Sequence, residues 1–155
     1  MNWVERRWTI EQNLSKGAAE VWNSVSTALD NACQTLKQHY SEFADITYSP
    51  QNGHRVVITV NRKRIPAHIQ AFDQRIDIQI IYERTENRIS VIVGYNKSPK
   101  HFPIQSDETH AFLFHSGKEI SPDDFSKLVL EDAFFKVQEL GSSQSHSGGP
   151  SSWAR

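Results

Sequence analysis

The chain has 155 residues, 37% of them hydrophobic and 23% charged, which is the size and balance of one globular domain. Its net charge of −1 excludes the overall basic excess of a strong polyanion binder, and its single cysteine, Cys33, excludes an internal disulfide. A chain this long buries roughly 70% of the surface that its unfolded form exposes, so it needs no covalent staple.

The first residues, "MNWVERRW", carry charges where a secretion signal has its apolar core. The longest apolar runs fall far short of the ~20 residues that span a bilayer. The sequence therefore predicts a cytoplasmic protein without a membrane segment. Val4, Trp8 and Ile10 keep one parity, with Arg6 as the exception, and predict a strand over residues 4–11. The capping-box spacing of Thr9 and Gln12 leaves a helix starting near Ile10 as the alternative. "NLSKG" at 13–17 reads as an interruption, since glycine costs ~1 kcal/mol inside a helix and Ser15 is a competent N-cap.

From Ala18 to Phe43 the apolar residues Trp22, Val25, Leu29, Ala32, Leu36, Tyr40 and Phe43 recur at steps of three and four, one stripe of a long amphipathic helix. Cys33 lies beside that stripe with no cationic neighbour, as a small buried hydrophobe would. Asn52-Gly53 within "ITYSPQNGHRVVITV" is a hairpin signal between two strands. Alternating runs follow at Ile65–Ala71, Ile76–Tyr82 and Ile89–Tyr95, each with the period-two pattern of a sheet buried on one face. The two prolines of "NKSPKHFPIQSDE" (96–108) predict a loop, and "HAFLFH" (110–115) a last strand. After Ser116-Gly117, Ser121 is an N-cap and Pro122 the first residue of a closing helix. Asp123 and Asp124 favour the positive end of its dipole, so they need no catalytic role. The fold class is thus α+β: an antiparallel meander of about six strands, with a long N-terminal helix and a C-terminal helix on one face. Residues 1–140 form the domain, and the Ser/Gly-rich 141–155, which include Trp153, form a flexible tail.

"TIEQNLSKGAAEVWNSV", with its "AAEVW" phrase, resembles the first strand and following helix of the helix-grip superfamily of lipid and polyketide binders. The meander and terminal helix follow the same β-α-β6-α order. The resemblance implies a cavity between a curved sheet and the terminal helix, hence a small apolar ligand; it covers no ligand-binding residue. The single long first helix and the tight turn before the last helix depart from the family.

Catalytic and metal motifs are absent: the chain has no HExxH, CxxC, P-loop, GxSxG or GxGxxG. No cofactor is implied. Seven histidines are scattered, and His110 and His115 differ in parity, so they would face opposite sides of a strand. Charge is uneven, with nine Lys/Arg against five Asp/Glu over 45–101 and three against eight over 102–140, a distribution that partial neutralisation between neighbours explains. "NRKR" (61–64) reads as the solvated tip of a hairpin. Arg62, Lys63 and Arg64 are the candidate anion contacts, but no aromatics alternate with them to stack bases, which argues against nucleic-acid binding. If Val56, Ile58 and Val60 face the helices, then Val57, Phe72, Ile81 and Ile92 face away. They are the candidate interface for a homodimer or a protein partner. The leading expectation is a non-catalytic interaction domain.

Overall fold

A computed structural model describes residues 2–63, 75–94 and 96–135. The chain opens with α1 (Trp3–His39), then runs through seven strands, β1 (Ala44–Gln51), β2 (Arg55–Arg62), β3 (Arg75–Glu83), β4 (Arg88–Val93), β5 (Asn96–Ser106), β6 (Ala111–His115) and β7 (Lys118–Ile120), and closes with α2 (Pro122–Phe135). Every strand pairs antiparallel with its sequence neighbour, so the sheet order is β1 to β7 without a crossover. This is the expected α+β meander, with both helices on one face.

Residues 4–11 are helix, not strand. Asn2 is the N-cap: its side-chain oxygen accepts the Glu5 N–H at 2.9 Å, and Glu5 reaches back to the Asn2 N–H at 3.2 Å. This reciprocal box starts the helix 15 residues before Ala18. Thr9 does not cap. Its hydroxyl donates to the Glu5 carbonyl one turn back. Gly17 sits mid-helix because the backbone must pass close to the sheet; a Cβ there would lie 2.7 Å from that of Ala111. At 37 residues α1 is ~55 Å long. It ends at His39 rather than Phe43, with Tyr40 leaving helical geometry at φ −127°. With no strand before it among the described residues, the chain lacks the helix-grip order that "TIEQNLSKGAAEVWNSV" suggested.

Among the described residues the meander has seven strands, where about six were expected. The expected loop 96–108 is mostly β5. Its prolines are compatible with pairing because the Ile104 N–H donates to the Asn87 carbonyl on the β4 side. Alternation then turns Pro103 away from β4, toward an edge that β6 joins only at Ile104, and Pro99 falls where the β4–β5 register shifts between Val91 and Val93. β7 is three residues long, too short to register as a periodic pattern. The expected strand at 65–71 lies outside the described residues; β2 pairs directly with β3, from Arg55↔Ile81 to Asn61↔Arg75. The tail 141–155 also lies outside them. Asn52-Gly53 and Ser116-Gly117 make the expected turns with positive φ.

The core fills the space between the inner sheet face and the two helices. Ile46, Val60 and Ile76 lie in one cross-strand row, Val56, Ile80 and Val91 in another, and Ile104, Leu113 and Ile120 in a third, all buried. Onto them α1 lays Ala18, Trp22, Val25, Leu29 and Cys33, and α2 lays Phe125, Val129, Leu130, Ala133 and Phe134. Phe102 and Phe125 meet edge to face at 4.9 Å, each no more than 1% exposed. That contact packs the sheet directly against α2.

The N-terminal half of α1 is tied to the β5–β6 turn. Asn13 donates to the Asp107 carbonyl at 2.9 Å, the Ser106 hydroxyl donates to the Ile10 carbonyl at 2.6 Å, and Arg6 pairs with Glu108 at 2.5 Å. Trp3, Val4 and Trp8 in the first turns of α1 are exposed.

Candidate functional site on the open sheet face

The face opposite the helices carries the candidate interface. Register places Val57 opposite Gln79, and Gln79 opposite Ile92, in one row. In the adjacent row Ile81 lies between Arg55 and Ser90, and Ser90 pairs with His101. Val57, Ile81 and Ile92 are therefore gathered around Gln79, all half-buried. Phe72, the fourth member of the expected patch, lies outside the described residues.

Beside this patch is a polar cluster that the sequence did not reveal. Arg88 grips the Glu83 carboxylate with two nitrogens, at 3.0 and 3.3 Å. Ser90, only 3% exposed, hydrogen-bonds the same carboxylate and lies 2.7 Å from His101 Nδ1. The Arg88 and Ser90 hydrogen bonds hold Glu83 below the ordinary carboxylate range. An ionised carboxylate only accepts, so the Ser90 O–H donates to Glu83, and the Ser90 oxygen is left to accept from His101 Nδ1–H. Serine, histidine and glutamate meet here without forming a nucleophilic triad. The serine proton goes to the carboxylate rather than to His101, and the hydroxyl is buried. The cluster is a fixed polar rim to the apolar patch. Its signal lay in strand register: Glu83 and Ser90 flank one turn, but His101 fell in a segment read as loop.

The "NRKR" stretch is not a uniform solvated tip. Asn61 and Arg62 belong to β2. Arg62 shares the inner parity of Val56, Ile58 and Val60, is 3% exposed, and donates to the Ala133 carbonyl at 2.6 Å. It thus supplies a cation to the negative C-terminal end of α2, whose own last turn has no basic residue. Lys63 pairs with Asp45 at 3.1 Å. Arg64 lies outside the described residues. Of the three candidate anion contacts, then, one is buried against a helix end and one is already paired.

His110 and His115 are kept apart, as their parity required. His110 sits in the β5–β6 turn between two carboxylates, Glu119 at 3.1 Å from Nε2 and Asp107 at 3.3 Å from Nδ1. The hydrogen bond to Glu119 is the main cause that raises its pKa. Asp107 is pushed down to about 2 by the backbone N–H of His110, helped by the Thr109 hydroxyl and N–H. His115 packs on Phe102 at 4.9 Å, and burial, with Lys100, lowers its pKa. The Cys33 thiol is pushed up to about 12 by burial and Asp30, which fits an unreactive core residue. The Asp124 N–H donates to the Ser121 hydroxyl oxygen at 3.0 Å, the N-cap bond expected at the start of α2.

Among the described residues no group of three or more His, Cys, Asp or Glu side chains converges to hold a metal ion. No helix among them is long and apolar enough to cross a membrane. Comparison with family models, with curated proteins and with solved structures finds no match for this chain.

Proposed function

We propose that the protein is a non-catalytic interaction domain that associates with a second copy of itself through the open sheet face. The observation that supports this is the gathering of Val57, Ile81 and Ile92 around Gln79 on the face that carries no helix, with the Glu83–Arg88–Ser90–His101 network beside them. An apolar centre with a fixed polar rim suits a protein surface. Two copies related by a two-fold axis would set the same patch against itself. Five strands spaced ~4.8 Å apart and ~20 Å long offer on the order of 500 Å² per copy. That is the low end for a specific interface, so the association expected is weak and reversible.

The rival reading, a small apolar ligand held between the sheet and the terminal helix, finds less support because Phe102 and Phe125 fill that space. An anion or nucleic-acid contact at "NRKR" is weakened by the engagement of Arg62 and Lys63. Sedimentation velocity over a concentration series tests the proposal. The wild type should show a monomer–dimer equilibrium, and Ile81→Lys with Ile92→Lys should be monomeric with an unchanged circular dichroism spectrum. A wild type that stays monomeric at high concentration would sink the idea, and so would a double variant that unfolds.

A further inference from the structure

On the helix side, a cleft of about 680 Å³ opens between α1, the β1–β2 turn and the β3–β4 turn. Its volume lies within the range of small-molecule sites. Trp22 and Tyr82, 5% and 9% exposed, stack on each other at 5.8 Å with 20° between their planes where they line one side of the cleft, and the Trp22 indole N–H donates to the Gly53 carbonyl at 2.8 Å. That bond ties the helix to the β1–β2 turn and fixes the wall in place.

Of the polar side chains around this wall, Ser15 and Asn23 both donate and accept, whereas the Arg84 guanidinium only donates. Ser15, Asn23, His54 and Arg84 line the cleft, and none of the described residues lining it carries a carboxylate. Arg84 is unlike its neighbours. Glu83, the adjacent acid, is engaged by Arg88, and Glu86 accepts the Thr85 hydroxyl at 2.8 Å. The Arg84 guanidinium therefore has no ion-pair partner among the described residues, although two acids lie within two positions of it in sequence. His54 bonds the Asn52 carbonyl through Nδ1 at 2.9 Å, which leaves Nε2 uncommitted. A planar guanidinium fork matches a carboxylate bidentately, and a flat apolar body suits an aromatic wall.

We propose that this cleft binds a small organic carboxylate with a flat apolar body, its anionic end on Arg84 and its body against the Trp22–Tyr82 wall. The site lies on the opposite side of the sheet from the self-association patch, so each can fail without the other.

Titration of the ¹⁵N-labelled full chain with benzoate, followed by NMR, tests it. Benzoate should shift the Trp22 indole N–H and the Asn52, Gly53 and His54 amides saturably in the millimolar range. Benzamide, which has the same body without the charge, should bind at least about tenfold more weakly. Arg84→Gln, an exposed turn substitution, should keep the spectrum dispersed and lose benzoate affinity at least about tenfold, about 1.4 kcal/mol. Absence of a saturable shift would overturn the proposal, as would equal binding of benzoate and benzamide or undiminished binding by a folded Arg84→Gln. Sulfate binding as tightly as benzoate would overturn the assignment to a carboxylate with a flat body.

Discussion

On the inner face of β2, Val56, Ile58 and Val60 are each no more than 2% exposed, whereas Val57, from the same strand and of the same chemistry, is half-buried on the outer face. β3 and β4 repeat the contrast, with Ile80 and Val91 sealed and Ile81 and Ile92 partly open. What separates the two sets is the cover laid over them. Inner residues meet two helices; among the described residues no helix covers the outer ones. Stability therefore depends chiefly on the inner face, and the outer face is free to serve recognition.

The comparison breaks if the two faces respond alike to truncation. Phe125→Ala, which removes a fully buried ring from the Phe102 contact, should cost about 3–5 kcal/mol in urea unfolding. Ile81→Ala on the open face should cost under about 1 kcal/mol at protein concentrations where the chain is monomeric. Similar losses at the two positions would show that something covers the outer face.

Arg62 is the exception that sharpens the comparison, a cation on the inner face. Arg62→Ala should cost about 2–4 kcal/mol, because it removes a buried donor from the Ala133 carbonyl and leaves a cavity. Arg62→Met, which keeps the packing stem, should cost less. A loss under about 0.5 kcal/mol for the alanine variant would mean that the contact to α2 adds little.

The smallest effect concerns the β5–β6 turn, which belongs to neither face. His110 has a raised folded-state pKa, so its contribution is fully present below its unfolded pKa of about 6.5 and is lost as pH rises through the folded value. Asp107 runs the other way, from 3.8 down to about 2, so its contribution is present above about pH 4 and fades as pH falls toward 2. The stability difference between wild type and His110→Gln should be largest near pH 5 and shrink above the histidine range. A difference that grows with pH would contradict the ion-pair geometry.

Most of the meander was legible because burial on one face imposes a period of two, which β2 and β3 display cleanly and β4 breaks only at the buried Ser90. The β5 strand was hidden by Pro99 and Pro103, whose tolerance depends on the edge that Pro103 faces and on the register shift at Pro99, properties of pairing rather than of sequence. Residues 4–11 are helix rather than strand, and residues 3–8 are exposed. An exposed helix has no reason to keep an apolar stripe, and the decisive capping pair, Asn2 with Glu5, sat upstream of the stretch in which a start was sought. The polar cluster was illegible for a related reason: Glu83, Ser90 and His101 come together only through the register of three strands.

The bonds between α1 and the β5–β6 turn, Asn13 to Asp107 and Ser106 to Ile10, join positions more than 90 residues apart. On the ribosome, where synthesis runs at ~5–20 residues per second, α1 would wait roughly 5–20 s for those partners to be made. Its deeper stripe is served sooner, since Trp22 meets Gly53 only 31 residues later. Assembly of the nascent chain would then proceed in a fixed order, with the middle of α1 docking on the first hairpin and each strand adding to the last. The N-terminal turns of α1 would be secured last, when Ser106, Asp107 and the Ala111 that meets Gly17 have been made.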